Sequence, residues 1–319
     1  MESNSRARVE DRISQLPDGV LHHILSFVPT KCAVRTSVLS TRWKDMWIRV
    51  PNLFLIDRDF SSPTGFMEFV DRALLLRNSA VIRKFHLCFN RCPAEDFSRV
   101  VGWLQTVVRC NVVELDLSVD SVGEGEEMLE LLNSLLNCRT LEALKLDYNF
   151  TTKIATSWCC PKLKFLYVKF SYPQSDLHHS MDFSQFPALE YLKIGGSLGN
   201  EAYSFNISVS GLKIIRITLG PNNYGRSWNF LVKAPKLEKL DVSEEFLSNY
   251  TFKDTKSLVE ASIHIFNDDE SDASANRATK FLAGISGVKY LTLSTPFFTV
   301  SILVVVPYIM NYVLLERII

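Results

Sequence analysis

LKFLYV at residues 163–168 and LEYLKI at residues 189–194 share the spacing apolar-x-x-apolar-x-apolar. In each hexapeptide the last two apolar residues are two positions apart, so they lie on the same face of a β-strand. The leading leucine turns inward from the preceding bend. One such unit cannot bury its apolar face alone, whereas stacked units form a continuous core beside a parallel sheet. These two stretches therefore predict a repeat architecture.

The same hexapeptide recurs along most of the chain. Its leading residues are Ile82, Val112, Leu141, Leu163, Leu189, Leu212, Leu237, Leu258 and Val288. Their mean spacing is about 26 residues, close to the period of leucine-rich repeats. Only Asn149 meets the asparagine that the repeat consensus often places after the strand, so we expect an irregular solenoid. The predicted fold class is α/β: an N-terminal three-helix module, then an irregular leucine-rich-repeat solenoid over residues 81–294 with a parallel β-sheet on its concave face.

Helices are expected between the predicted strands. Residues 63–77, 94–109 and 126–137 carry apolar residues at helical spacing and would form the convex side. Residues 53–80 as a whole are interpreted as a helical connection. Later connections are shorter and are expected to be irregular. Residues 267–277 (NDDESDASANR) are expected to form a solvated acidic loop.

Residues 11–50, DRISQLPDGVLHHILSFVPTKCAVRTSVLSTRWKDMWIRV, predict three short helices. Asp18, Thr30 and Ser40 are placed to cap them in turn. So small a module buries too little surface to hide two tryptophans and many aliphatic side chains. Its excess apolar surface must therefore face either the rest of the chain or a partner.

This segment resembles the plant F-box. The order Leu16-Pro17-Asp18, then Ile24-Leu25-Ser26-Phe27, then Val38-Leu39-Ser40-Thr41-Arg42-Trp43-Lys44 and Trp47 carries the resemblance. Thr41 stands where the family often has a basic residue, which is a minor departure. The stretch FVDRALLLRNSAVIRKF over residues 69–85 resembles the start of the repeat region in the FBD-associated F-box group. The combined resemblance covers about residues 10–294, with the F-box over residues 10–52.

The resemblance implies a function. An F-box docks onto a Skp-type adaptor, which links it to a cullin scaffold, so the chain would be the substrate-receptor subunit of an SCF-type (Skp-cullin-F-box) ubiquitin ligase. Leu16-Pro17 is by resemblance the surest adaptor contact. Periodicity leaves open which apolar residues face the adaptor and which face inward. The candidate adaptor-binding residues are Leu16, Pro17, Leu21, Ile24, Leu25, Val34, Val38, Leu39, Trp43 and Trp47.

A candidate surface for the protein substrate lies in the middle repeats. Positions that alternate with the core residues of each strand point out of the concave sheet. They are Phe165, Tyr167 and Lys169; Tyr191, Lys193 and Gly195; Ile214, Arg216 and Thr218. Each aromatic residue alone is compatible with ordinary strand preference. Aromatic and cationic residues on adjacent strands favour a binding patch, where Lys169, Lys193 and Arg216 would meet an acidic or phosphorylated segment.

Other function classes find no support in the sequence. Lys and Arg together number 35, as do Asp and Glu, and this zero net charge argues against nucleic-acid or membrane-surface binding. No nucleophile-elbow, P-loop or dinucleotide motif is present, so we expect neither an enzyme nor a cofactor. His86, Cys88 and Cys92 lack a fourth ligand for zinc, so we expect no metal. The alternative function is a leucine-rich-repeat interaction scaffold that acts outside a ligase, either without a membrane tether or with one at its tail.

The N-terminus is polar and the seven cysteines are an odd number. Both features indicate reduced thiols and a location in the cytoplasm, the nucleus or both. Residues 295–319 form an apolar tail in which Phe297 to Leu315 carry no charge. Three interpretations compete: a cap on the solenoid, a tail anchor, or a replacement sequence from a truncated gene model. We favour the third, with a cap as its structural outcome. The tail anchor is disfavoured because 19 residues are near the lower limit for a membrane span.

Overall fold

A computed structural model gives the structure of the chain. It describes residues 13, 15–77, 81–119, 135, 138–148, 160–171, 179–197, 203–220, 228–267 and 272–293. Its helices are α1 Asp18–Leu25, α2 Thr30–Arg35, α3 Pro63–Arg77, α4 Phe97–Arg109 and α5 Asp272–Gly284. Its strands are β1 Asn52–Ile56, β2 Lys84–Phe89, β3 Glu114–Val119, β4 Ala143–Tyr148, β5 Phe165–Ser171, β6 His179–Asp182, β7 Tyr191–Ser197, β8 Tyr203–Ser208, β9 Ile214–Leu219, β10 Asn229–Lys233, β11 Lys239–Glu244, β12 Asn249–Lys253, β13 Glu260–Ile265 and β14 Tyr290–Leu293.

A ten-stranded parallel sheet confirms the predicted solenoid. Its strand order is β1-β2-β3-β4-β5-β7-β9-β11-β13-β14. All nine predicted strands are present, and all nine leading apolar residues are buried. Within the strands, buried and partly exposed residues alternate, as in the pattern iBiBiB of β2 and β3. The strand β1, in the segment interpreted as a helical connection, extends the sheet by one strand.

A second parallel sheet replaces the irregular connections that were expected between the later repeats. It contains β6, β8, β10 and β12 in the order β12-β10-β8-β6. Phe205, Phe230 and Tyr250 lie at matching positions of its strands and stack, with ring centroids 4.6 and 4.8 Å apart. These rings are buried in the same core as the leading leucines, so the core lies between the two sheets.

The helices agree with expectation in part. The helices predicted over residues 63–77 and 94–109 are confirmed as α3 and α4, the latter preceded by a 3₁₀-helix at Ala94–Asp96. The helix predicted over residues 126–137 lies outside the described residues, apart from the buried Leu135.

The acidic segment 267–277 is only partly a loop, because α5 begins at Asp272. Phe281 and Leu282 of this helix are buried and Phe281 packs against Tyr250 and Phe252 of β12. The burial of these two residues stabilises the helix, including its polar first turns. The acidic residue at its start, Asp272, interacts favourably with the positive end of the helix dipole. The prediction of a loop was wrong for residues 272–277.

The buried carboxyl group of Glu244 on β11 forms a hydrogen bond with β12 and so connects the two sheets. Oε1 of Glu244 accepts a hydrogen bond from the Tyr250 hydroxyl at 2.5 Å, and Oε2 accepts one from the backbone N–H of Ser248 at 2.8 Å. Burial raises the pKa of Glu244 from 4.5 to about 7, although both hydrogen bonds act to lower it.

Replacing Glu244 by glutamine is expected to remove a pH dependence of stability. The pKa of Glu244 is higher in the folded chain than its ordinary value, so the folded state holds the proton more tightly. The free energy of unfolding should therefore fall as the pH rises from 4.5 to about 7. Glutamine keeps the shape of the side chain but does not titrate. Urea unfolding of both proteins across this interval is the measurement, and parallel stability curves would contradict the assignment.

The N-terminal module, residues 15–50, differs from expectation in its third helix. Only α1 and α2 are α-helices, and the predicted third helix is a turn followed by a 3₁₀-helix at Met46–Arg49. Pro17 and Pro29 occupy the N-cap positions, so Asp18 and Thr30 are the first helical residues instead of caps. The reason lies in other partners: Asp18 pairs with Arg42, and the Thr30 hydroxyl accepts a hydrogen bond from Phe54 N–H at 2.8 Å.

Arg77, at the end of α3, joins this module to the ten-stranded sheet. Its buried guanidinium donates hydrogen bonds to the carbonyl oxygens of Trp47, Val50 and Val81 at 3.2, 2.5 and 3.3 Å. Burial lowers the pKa of Arg77 to about 10, so the side chain stays protonated at neutral pH. Ala73, one helical turn earlier, packs within the core of the module. The module and the sheet are therefore joined by buried contacts.

Candidate protein-interaction surfaces

The N-terminal module divides the predicted adaptor-binding residues into an interior set and a surface set. The interior set, at most 6% exposed, is Leu21, Leu25, Trp43 and Trp47. Leu16 and Val34 are partly buried and pack against this core. The surface set is Pro17, Ile24, Val38 and Leu39. Helical periodicity could not make this division, because Val38 and Leu39 lie at and beyond the end of a 3₁₀-helix.

Five large apolar residues of the N-terminal module are exposed. Val38 is 87% exposed, Leu39 is 65% exposed and Ile24 is 44% exposed. Phe27 and Val20, at 72% and 43%, were not among the candidate residues. Val20, Ile24 and Phe27 follow one another at i, i+4 and i+7, so helical spacing in the sequence was a signal for them, although Phe27 lies two residues beyond the end of α1. We call these five residues the docking set.

Arg42 ties together the two segments that carry the docking candidates. Its Nη2 atom donates to the Leu16 carbonyl oxygen at 2.5 Å and to Asp18 Oδ1 at 2.6 Å. The hydrogen bond from Arg42 holds the pKa of Asp18 below its ordinary value. Arg42 follows Val38 and Leu39 closely in sequence. Its hydrogen bonds therefore fix the position of the Leu16-Pro17 segment relative to these two residues.

The open face of the ten-stranded sheet carries the predicted substrate residues. Phe165, Tyr167 and Lys169 alternate with the buried Leu166 and Val168. The parallel register aligns neighbouring repeats in rows across the strands: Phe165, Tyr191 and Ile214 in one, Tyr167, Lys193 and Arg216 in the next, and Lys169, Gly195 and Thr218 in the third. The structure therefore brings all nine predicted residues together.

Charge on this face differs from the predicted cationic patch. Lys169 Nζ lies 2.9 Å from Asp147 Oδ2, and Arg216 Nε lies 3.6 Å from Asp241 Oδ2. The hydrogen bond with Asp147 raises the pKa of Lys169. Both of these cations thus have carboxylate partners in the free chain, because adjacent strands place an acid beside each of them.

Lys193 is different. Its ammonium group lies 4.7 Å from the centre of the Tyr167 ring, and no carboxylate of a described residue pairs with it. Arg216 likewise approaches the Tyr191 ring, at 5.8 Å. Of the three cations predicted to meet a partner's charge, Lys193 is therefore the one without a carboxylate partner among the described residues.

The carboxylate of Asp116, in the same row across the sheet as Tyr167, Lys193 and Arg216, has two partners. Asp116 Oδ2 lies 3.3 Å from His86 Nδ1 and 3.1 Å from Lys145 Nζ. Burial raises the pKa of Asp116, but the hydrogen bonds from His86 and Lys145 outweigh it and hold that pKa below its ordinary value. In the described ranges, no group of three or more His, Cys, Asp or Glu side chains is arranged to hold a metal ion.

No helix within the described ranges is long and apolar enough to cross a membrane. The apolar tail lies outside those ranges, so its three interpretations stay open.

Two family models match the chain. The model for the F-box domain matches residues 13–55. The model described as the leucine-rich repeats of FBD-associated F-box protein At5g56370 matches residues 100–310. The second match covers well over half of the chain and includes β3 to β14.

Curated proteins of Arabidopsis thaliana are similar over nearly the whole chain. F-box/LRR-repeat protein At3g59200 is 34% identical over 89% of this chain and 59% of its own length. F-box/LRR-repeat protein 13 is 30% identical over 90% of this chain and 66% of its own length. F-box/LRR-repeat protein At4g14103 is 32% identical over 89% of this chain and 78% of its own length. The chain thus spans less than two thirds of the first two of these relatives.

The fold and the matches agree. A helical module with exposed apolar side chains precedes a parallel solenoid. The F-box model covers the module, and the repeat model covers the solenoid from β3 to β14. The chain belongs to the plant F-box/leucine-rich-repeat protein family.

Proposed function

We propose that the chain is the substrate-receptor subunit of an SCF-type ubiquitin ligase in the cytoplasm, the nucleus or both. The F-box would bind a Skp-type adaptor and, through it, a cullin scaffold. The repeats would bind a target protein and hold it near a ubiquitin-charged enzyme. Such a subunit acts by raising effective concentration and needs no acid, base or nucleophile of its own.

The docking set carries the proposal. The module already has a complete core of buried residues, so its exposed apolar side chains do not serve its own folding. Five large apolar side chains on so small a module are typical of a protein-interaction site. A partner that covered them would gain about 25 cal/mol for each Å² of apolar surface buried.

The joint between the two parts supports the same function. Arg77, Ala73 and β1 connect the F-box to the solenoid through buried contacts, and the Asn52 side-chain amide also donates to the Ser26 carbonyl oxygen at 3.2 Å. A fixed joint keeps a bound substrate in a constant position relative to the adaptor. Positioning of this kind is what a receptor contributes to transfer onto a substrate.

Affinity purification of the tagged chain from plant cells tests the proposal. A Skp-type adaptor and a cullin should both be recovered with it, and the complex should support ubiquitin transfer onto a co-purified protein. Recovery of neither partner would overturn the ligase assignment.

Replacing Leu16 and Pro17 together by alanine is expected to abolish recovery of the adaptor, because small interfaces depend on a few apolar anchors. Leu16 also packs against the core, so the free energy of unfolding has to be measured alongside. The single P17A variant separates the two effects, because Pro17 is exposed. Removing two exposed apolar side chains at the far end of the sheet, Phe266 and Tyr290, is the matched control. Unchanged adaptor affinity in the double variant would rule out this contact.

A further inference from the structure

We propose that the centre of the open face, across β4, β5, β7 and β9, binds an extended segment of a partner protein in which one carboxylate lies between apolar side chains. The inference rests on the proposed function only in taking this partner to be the substrate. It differs from the predicted patch of three cations, because Lys169 and Arg216 already pair with carboxylates. Its support comes from one apolar row, the ion pairs around it and one unpaired cation.

The apolar row consists of four residues in register on the four adjacent strands. They are Ala143, Phe165, Tyr191 and Ile214, all partly exposed. The Phe165 and Tyr191 rings stack with centroids 4.8 Å apart, and Arg216 lies 5.8 Å from the centre of the Tyr191 ring. Phe165 therefore keeps its second ring face for a partner, whereas Tyr191 offers its ring edge and hydroxyl. Four strands span about 14 Å, which matches roughly four residues of extended chain.

Ion pairs surround this row on every side. Along its own line, the next pairs are Lys84–Glu114 at 2.7 Å and Lys239–Glu260 at 2.6 Å. At the start of the strands lie Lys164–Glu142 at 3.0 Å and Lys213–Glu190 at 2.7 Å. In the next row toward the strand ends lie Lys145–Asp116 at 3.1 Å and Arg216–Asp241 at 3.6 Å. An apolar centre inside a charged rim is the usual composition of a protein interface.

Lys193 interrupts this rim. It lies between Tyr167 and Arg216 in the register and has no carboxylate partner among the described residues. The Tyr167 ring that it covers also lies against Gly195, where an added Cβ would come within 3.3 Å of the ring. The ring is therefore held between Lys193 and the backbone of β7. Its cation–π contact is worth only about 0.5–1 kcal/mol at an exposed site, so Lys193 can turn to a stronger partner.

The charge balance identifies the acidic group as a carboxylate. One unpaired ammonium matches one negative charge, whereas a phosphate group carries nearly two. The other cations of the rim already have carboxylates, and each such exposed pair is close to energetic neutrality, so none needs an external anion. Nucleic acid, which requires many free cations, does not fit this face.

Selection from a phage-displayed library of random peptides, about 12 residues long, on the immobilised full-length chain tests the inference. Enriched peptides should share one Asp or Glu flanked by aromatic or aliphatic residues. A synthetic peptide with the enriched sequence should lose about tenfold or more in affinity for the K193E and Y191A variants, while K193R should retain binding. K233E is the matched control, because Lys233 is exposed on the four-stranded sheet.

Several outcomes would overturn the inference: no enrichment, enriched peptides without an acid, or equal affinity for wild type and K193E. A phosphoserine in place of the acid should bind no more tightly, and tighter binding would exclude the carboxylate. Adaptor recovery, measured with the same variants, keeps the two proposals distinct. If the adaptor binds and no such peptide is selected, the surface inference fails alone. If peptides bind and no adaptor does, the ligase function fails and the surface stands.

Discussion

Replacing Val38 and Leu39 together by glutamate is expected to lower the affinity for a Skp-type adaptor by about 100-fold or more. The two side chains are 87% and 65% exposed, so they contribute little to the folded state of the free chain. In a complex, each buried side chain of this size would contribute about 1.5–3 kcal/mol, and a buried glutamate would oppose binding further. Binding of the purified adaptor to wild type and variant, by calorimetry, is the measurement.

The F266E variant is the control for this experiment. Phe266 is 67% exposed and follows β13, far along the solenoid from the F-box. It should bind the adaptor as wild type does, and the free energy of unfolding should be similar in all three proteins. Wild-type affinity in the V38E/L39E variant would place the adaptor contact elsewhere on the chain. Loss of folding in that variant would show that the two residues belong to the core after all.

Replacing Arg77 by methionine is expected to lower the free energy of unfolding by about 3 kcal/mol. Methionine has nearly the length of arginine but cannot donate to the carbonyl oxygens of Trp47, Val50 and Val81. Those oxygens lie where the F-box meets α3, so the variant should also expose this joint to proteases before the repeats unfold. Urea unfolding and limited proteolysis measure the two effects.

The R72M variant provides a matched loss of charge on the same helix. Arg72 is exposed, and such substitutions change stability by about 0.5 kcal/mol at most. The R77K variant keeps the positive charge but lacks the planar guanidinium group with its several donors. Its free energy of unfolding should therefore lie between those of R77M and wild type. If R77M and R72M unfold alike and the joint resists proteolysis equally in both, Arg77 does not hold the two parts together.

The repeat units were predictable because their information is local. Each hexapeptide carries its own strand periodicity, and its leading residue, such as Leu163 or Leu212, is buried in every case described. The four-stranded sheet was not predicted, although Tyr203, Phe205 and Ile207 alternate along β8 as a strand requires. The strands of the ten-stranded sheet are equally short, but one recurring hexapeptide located nine of the ten. The strands of the second sheet read HSMD, YSFNIS, NFLVK and NYTFK and share no such sequence, and pairing with a neighbouring repeat stabilises them.

The candidate sites were likewise predictable from the sequence in one respect and not in another. The sequence by itself determined which residues point out of the ten-stranded sheet, because alternation along a strand is independent of what lies beside it. Only the tertiary structure decided that Lys169 and Arg216 face Asp147 and Asp241 while Lys193 faces an aromatic ring. In the F-box it likewise separated the buried tryptophans from the exposed Val38 and Leu39. The reason is physical: strand register and helix packing set the distance between charges and the burial of a side chain, and neither is a property of a single segment.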